Sequence, residues 1–443
     1  MNTKLRFLVY NAYGIGGTVK TVFNFADYFQ NTGRYDVEIM SVRKTLDTPV
    51  LYLNPKVKIN FMQDARKKAI YTEEEKDLLS KPSVLINQDE DLYSFFNAYT
   101  DKKLREYLEG LHEGVLITTN PSFNVLATAL VDECVLRIGQ EHKSFVDYTT
   151  EIQKMIRNNY GKLDSLTILT ERNKHVYERK ICGELPIYVL GNGTRRLSYR
   201  TNLKNHVIVA AGRYAKQKGF DLLIEAFALI ANEFPDWRLK IYGEGSLVKD
   251  YVKLIHKYNL EGQIVLEPGS DQMNEKLSEA SMYVCSSYYE PFGMVIIEGF
   301  AMGIPCVSFA CDGPREIITD GYDGILVPKE DVAELAKAME RVMSDEKYRM
   351  ELGANAYETS KKYDINIIGD NLRKIIETEL NEKKNTQVLN DEKKNIVSSL
   401  SVDNIGDDIQ NSTYAKMIDM ASEGRVGFST IWKMFSGWLK YKI

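Results

Sequence analysis

Ser286-Ser287-Tyr288-Tyr289-Glu290-Pro291-Phe292-Gly293-Met294-Val295-Ile296-Ile297-Glu298-Gly299 is the stretch on which the reading of this 443-residue chain turns. Before it, residues 280–285 have the length and apolar content of a short buried strand. After it, the run 294–297 opens a helix, with Pro291 at the turn into it. Proline suits such a start, because its missing N–H would have had no partner in a first helical turn. A strand that ends in a glycine-containing turn and passes into a helix aims several backbone N–H groups at one spot, at the positive end of the helix dipole. That is an anion site. Two carboxylates flank it: Glu290 in the turn and Glu298 about two turns into the helix, inside the otherwise apolar run 294–305. A helix cap and a surface glutamate would account for them. A glutamate buried in an apolar run, however, needs a partner, and a ligand hydroxyl is one.

Glu290-Pro291-Phe292-Gly293-Met294 followed by Glu298 resembles the E-x7-E signature of retaining glycosyltransferases of family 4. The resemblance implies an α/β fold of the GT-B type, two doubly wound Rossmann-like domains facing across a cleft.

Length and composition fit that expectation. The chain is too long for one compact domain, and its 44% hydrophobic content is ample for two cores. A formal charge of -5 argues against a nucleic-acid partner, which would call for a basic face. Cys134, Cys182, Cys285, Cys306 and Cys311 fall in or beside apolar runs without zinc spacing, and read as buried reduced thiols. The first apolar run, 5–9, is interrupted by Arg6 and has no signal-peptide build, and no run is long enough to span a membrane. The expected location is the cytoplasm, with peripheral attachment to the inner face of the cell membrane in view.

Residues 5–10 form a strand, Gly14-Ile15-Gly16-Gly17 a loop, and 18–30 a helix, the opening unit of a parallel sheet. The loop lacks the third glycine of a dinucleotide fingerprint, and Lys20 is wrongly spaced for a P-loop. Residues 64–103 are charged and irregular, an insertion that reads as a functional loop or a helical excursion. Asp89-Glu90-Asp91 within it reads as a solvated acidic loop rather than a metal motif. A strand at 135–139 ends at Gln140-Glu141-His142, at the end of a strand where such sheets bind ligands. Gly191-Asn192-Gly193 resembles the family's turn into the inter-domain linker, which implies 1–195 as the first domain and 205–363 as the second. The second domain opens with a strand at 206–211 and then Gly212-Arg213-Tyr214-Ala215-Lys216-Gln217-Lys218-Gly219, whose two cations Arg213 and Lys218 can converge on a diphosphate. Residues 364–383 have amphipathic helical spacing, and the resemblance implies that this helix crosses back to the first domain; a polar linker occupies 384–412, and 413–443 is an amphipathic tail carrying Phe428, Trp432, Phe435 and Trp438. Packing on the protein's own body and docking to a membrane surface both fit that tail.

The same resemblance implies the roles. Gly16 and Gly17 approach donor phosphates or the acceptor, His142 reaches the donor sugar at its 6-hydroxyl, and Arg213 and Lys218 hold the diphosphate. Glu290 orients sugar hydroxyls, and Glu298 holds the ribose hydroxyls. The loops beginning at Gly243 and Glu267 lie by the nucleotide, the latter bracketing the base. The N–H groups of Phe292, Gly293, Met294 and Val295 receive the charge that develops on the β-phosphate. The wording Asp312-Gly313-Pro314-Arg315-Glu316-Ile317-Ile318 is similar to the branch that builds bacterial polysaccharides and teichoic acids. Expected, then, is a retaining hexosyltransferase of cell-wall or capsule biosynthesis using a UDP-sugar and no metal or other cofactor. Its partners would be that donor and a glycan or polymer acceptor, with homo-oligomerisation left open. A sugar-nucleotide epimerase and a non-catalytic partner subunit are the alternatives. Donor sugar, acceptor and linkage are not legible.

Overall fold

The computed structural model describes residues 2–399 except 197, 198 and 271, with 390–399 described by backbone alone. Among the described residues the first sheet has seven strands: β1 Thr3–Val9, β2 Tyr35–Lys44, β3 Lys58–Asp64, β4 Val115–Thr118, β5 Leu136–Gln140, β6 Ser165–Ile168 and β7 Ile187–Val189, ordered β3-β2-β1-β4-β5-β6-β7. The second has six: β8 Val207–Ala211, β9 Arg238–Tyr242, β10 Ile264–Glu267, β11 Met282–Cys285, β12 Cys306–Phe309 and β13 Gly324–Val327, ordered β10-β9-β8-β11-β12-β13. All pairings are parallel. Chain order reverses between β1 and β4 in one sheet and between β8 and β11 in the other, which opens a crevice at the carboxyl ends of those strands.

Burial on both faces explains why the strands read as continuous apolar runs. Neighbours in β8 and β11 point opposite ways. Ile208 and Val284 pack with Phe227, Leu239 and Met339, while Val209 and Tyr283 pack with Ile296, Ile297 and Phe300. The helices that matter for the site follow the central strands: Gly17–Thr32 after β1, Phe220–Ile230 after β8 and Met294–Ala301 after β11. The last starts later than its sequence suggests. Pro291 lies ahead of the N-cap, which is Gly293 at φ 110°, and Glu298 is the fifth helical residue, little more than one turn in.

The insertion 64–103 is a helical excursion. The helix Glu73–Ser80 is closed by a capping box between Thr72 and Glu75. The excursion is pinned to the helix Ala98–Glu109 through Asp101, which accepts from Ser83 Oγ at 2.6 Å and Val84 N at 2.7 Å. Its acidic triplet is engaged in the same way. Glu90 accepts from Ser122 N at 2.8 Å, Asp89 from Thr149 Oγ1 at 2.6 Å, and Asp91 pairs with Lys143 at 3.3 Å.

The two crossings between the sheets run side by side, where Thr194 N donates to Tyr363 O and Ile365 N to Thr194 O. From there the helix Ile365–Ser399 lies on the first domain up to Glu379, burying Ile368, Leu372 and Ile376. Tyr188 Oη donates to Glu379 at 2.6 Å, and Tyr28 Oη hydrogen-bonds Asp370. This helix corrects the linker expected at 384–412, since it continues to Ser399. Lys, Glu, Gln and Leu are good helix formers, and a polar composition does not separate a solvated helix from a linker. Residues 400–412 and the tail 413–443 lie outside the described residues. Two cysteines also depart from expectation: Cys134 and Cys182 are exposed, while Cys285, Cys306 and Cys311 are buried. No helix among the described residues is long and apolar enough to cross a membrane.

The fit of the returning helix is tight at Gly369, where an added Cβ would come within 2.4 Å of the Tyr28 ring. Gly369→Ala is therefore expected to cost about 1–3 kcal/mol in urea unfolding. Gly262→Ala, with nothing within 4 Å of its Cβ, should cost far less.

Candidate active site

The loops after β8 and β11 form one unit at the switch point of the second sheet. Tyr288 N donates to Gln217 O at 2.9 Å, Ser286 Oγ to Lys218 O at 2.9 Å, and Gln217 Nε2 to Tyr289 O at 3.2 Å. Glycine at 219 makes this approach possible. Its φ is 57°, and an added Cβ would lie 2.1 Å from Ser286 O.

The closure brings Lys218 to Glu290: Nζ stands 2.6 Å from Oε2, with both side chains largely buried. Burial by itself would depress the ammonium pKa, but the Glu290 carboxylate outweighs it and holds Lys218 above its ordinary value. Ser287 Oγ adds a 3.3 Å bond to the same carboxylate oxygen. Arg213 is different. It is exposed, held loosely by Gln217 at 3.5 Å, and close enough for its charge to be felt at Lys218. Together they place a fixed and a free cation beside one carboxylate. Burial pushes the nearby Cys311 thiol up to about 12 and raises Cys285 as well, so neither is a thiolate nucleophile.

Helix starts around the crevice divide into two kinds. Asn120, Thr149 and Thr170 cap their helices with side-chain oxygens. The helices beginning after Gly16, Gly219 and Gly293 have no side-chain cap, so their first N–H groups keep no side-chain acceptor. All three are the glycine turns that follow β1, β8 and β11. The Gly293 turn is braced from behind. Gly313 N donates to Glu290 O at 2.9 Å, and a Cβ at Gly313 would sit 2.1 Å from Phe292 O.

The first sheet faces this turn with the start of its own helix. An added Cβ at Gly17 would lie 4.0 Å from Met294 Cγ, and Thr21 Oγ1 stands 3.8 Å from Met294 Sδ. Lys20 Nζ reaches Glu298 Oε1 at 2.7 Å. The buried Glu298 thus has a partner that its sequence context did not identify, because Lys20 belongs to the other domain. On the far side, Asp312 receives Ser144 Oγ at 3.5 Å and Arg172 Nε at 3.4 Å. Phe292 closes against Gly191 of the linker.

His142 stands at the carboxyl end of β5 with Nε2 3.2 Å from Gln140 Oε1, and burial pushes its pKa down to about 4. No contact joins it to Lys218 or Glu290 among the described residues. Beside it, Glu141 is buried in a network that sequence reading passed over. It accepts from Asn124 Nδ2 at 2.9 Å, Tyr148 Oη at 2.6 Å and Tyr160 Oη. Burial, opposed by these hydrogen bonds, lifts its carboxyl to about 7. Its partners, spread from Asn124 to Tyr160, left no local signal for it. Gly243 and Glu267 meet through the backbone, Gly243 N donating to Glu267 O at 2.9 Å. That carbonyl also accepts from Tyr214 Oη at 2.8 Å.

The chain is similar to known glycosyltransferases. Residues 194–359 match the family model described as Glycosyl transferases group 1. A protein named exopolysaccharide phosphotransferase from Streptomyces coelicolor is 30% identical over 385 residues, which are 82% of this chain but 40% of that protein. An uncharacterized glycosyltransferase of Haemophilus influenzae is 25% identical over 371 residues, 82% of this chain and 96% of that one. Among solved structures, the pneumococcal O-GlcNAc transferase GtfA in complex with UDP and GlcNAc has a TM-score of 0.67 at 14% identity, covering 86% of this chain and all of that one. The fold is GT-B.

The lowered pKa of His142 has a definite sign. An unfolded histidine binds its proton near pH 6.5, the folded ring only near 4, so stability falls as pH drops through that window. NMR of the His142 ring should show a midpoint near 4, and His142→Asn should flatten the decline. A midpoint above 6 would contradict the burial.

Proposed function

We infer that this chain, whose residues 194–359 are a Glycosyl transferases group 1 domain within a GT-B fold, is a retaining glycosyltransferase. It moves a hexose or N-acetylhexosamine from a UDP-sugar to a glycan, teichoic-acid, lipid-linked or protein-linked acceptor. The observation that carries the reading is the Lys218–Glu290 pair set beside the uncapped helix start at Gly293. The pneumococcal neighbour's complex with UDP and GlcNAc supports the donor class.

Departure of a nucleoside diphosphate leaves negative charge on its β-phosphate. Lys218 and the N–H groups from Phe292 to Val295 are fixed before the reaction begins, and with the more mobile Arg213 they face that charge as it develops, so no metal ion is required. Glu290 shares Lys218 with the phosphate, orients sugar hydroxyls and favours an oxocarbenium-like centre. The acceptor oxygen attacks the face from which the diphosphate leaves, and a phosphate oxygen takes its proton. His142, neutral at pH 7, serves as a hydrogen-bonding partner of the sugar and not as a cation. Asp89, Glu90 and Asp91 are committed to a helix start, a hydroxyl and a lysine, which fits the reading that they hold no metal.

The Streptomyces coelicolor relative favours a second reading, transfer of a phosphosugar. The two differ in the bond broken. Cleavage at the sugar C1–O bond releases UDP, whereas phosphosugar transfer cleaves the diphosphate and releases UMP. The alternative of a partner subunit without activity is weakened, because Arg213, Lys218, Glu290 and Glu298 are all present and the last three are paired.

The purified protein, incubated with a panel of UDP- and GDP-sugars with and without EDTA, should release UDP from one donor at equal rates in both conditions. Arg213→Ala and Glu290→Ala should each lower that rate roughly a hundredfold or more. Release of UMP would establish the second reading, and loss of activity in EDTA would contradict metal independence.

A further inference from the structure

Glu298 is 2% exposed, and its Oε1 lacks an aligned hydrogen-bond donor although Lys20 Nζ is 2.7 Å away. The ammonium is thus a charge neighbour rather than an aligned hydrogen-bond donor. A carboxylate has about four acceptor sites and an ammonium three donors, so both groups keep capacity for a third partner.

The position of Lys20 points to that partner. It stands one turn into the helix Gly17–Thr32, at the positive end of the dipole, where a cation is disfavoured and an anion welcome. The first turn holds no acid. The residues around it, Gly17 and Thr21, lie against Met294, the first residue of the helix whose N–H groups make the anion site. Lys20 therefore stands by that site on the first domain, whereas Lys218 and Arg213 belong to the second, and 29% of its side chain is open to solvent.

We propose that Lys20 is a donor-binding residue. It neutralises Glu298 while the site is empty and bonds the donor's diphosphate when it is filled, leaving Glu298 to the ribose hydroxyls. Since the other two cations stand on the second domain, the diphosphate is then held from both domains. This rests on the glycosyltransferase reading above.

The test compares UDP with uridine, which lacks the phosphates, by calorimetry on the full chain, alongside donor KM and kcat. Lys20→Met should weaken UDP binding tenfold or more and leave uridine within about twofold. Donor KM should rise by a similar factor, and Lys20→Arg should keep most of the affinity. Should Lys20→Met fail to fold, the double variant Lys20→Met/Glu298→Gln removes both charges together and should show the same loss of preference for UDP. Equal weakening of UDP and uridine would overturn the proposal, since a lysine that merely positions Glu298 would act through the ribose. Unchanged UDP binding would overturn it too. Failure of the unaltered protein to bind UDP would remove the function reading itself, a result distinct from either.

Discussion

An ammonium taken out of water against a carboxylate holds this site together. Lys218 and Glu290 are brought to 2.6 Å by two loops that cross at Gly219, where no side chain fits. Removing one partner of such a pair strands the other's charge, which is why buried pairs are costly to break even when they add little net stability. The cost also has a use. A pair that is nearly dehydrated is already arranged for an anion of the same geometry, and reorganisation at the moment of reaction is small.

The rest of the chain places a second surface opposite this pair. Two parallel sheets of the same winding put their switch points towards each other, and adjacent crossings at Thr194 and Ile365 hold them in that relation. Polar contacts across the cleft join Lys20 with Glu298, and Ser144 and Arg172 with Asp312, and apolar ones set Gly17 and Thr21 against Met294 and Leu169 into the core of the second domain. The tight apolar fits, Phe292 on Gly191 and Tyr28 on Gly369, lie at the linker and on the returning helix.

Much of this was legible locally. Strand, glycine turn and helix recur after β1, β8 and β11, and each turn announced itself by glycine together with an apolar run on either side. The two parallel sheets and the Arg213, Lys218 and Glu290 cluster followed from those turns. Legibility ended where partners come from far away in sequence. Lys20 was weighed as a P-loop lysine and set aside, although its partner is 278 positions on. The Glu141 network draws on residues from Asn124 to Tyr160, and no spacing rule links them. At the other end, polar composition suggested a linker where the backbone is helical to Ser399, since solvated helices and linkers share their residues.

The central claim is that the Lys218 ammonium and the helix start at Gly293 together receive the donor's diphosphate. A crystal structure of the protein with UDP tests it most directly. The β-phosphate oxygens are expected about 3 Å from Lys218 Nζ and from the N–H groups of Met294 and Val295, with the ribose hydroxyls on Glu298. A diphosphate bound elsewhere, with the Lys218–Glu290 pair untouched, would contradict it.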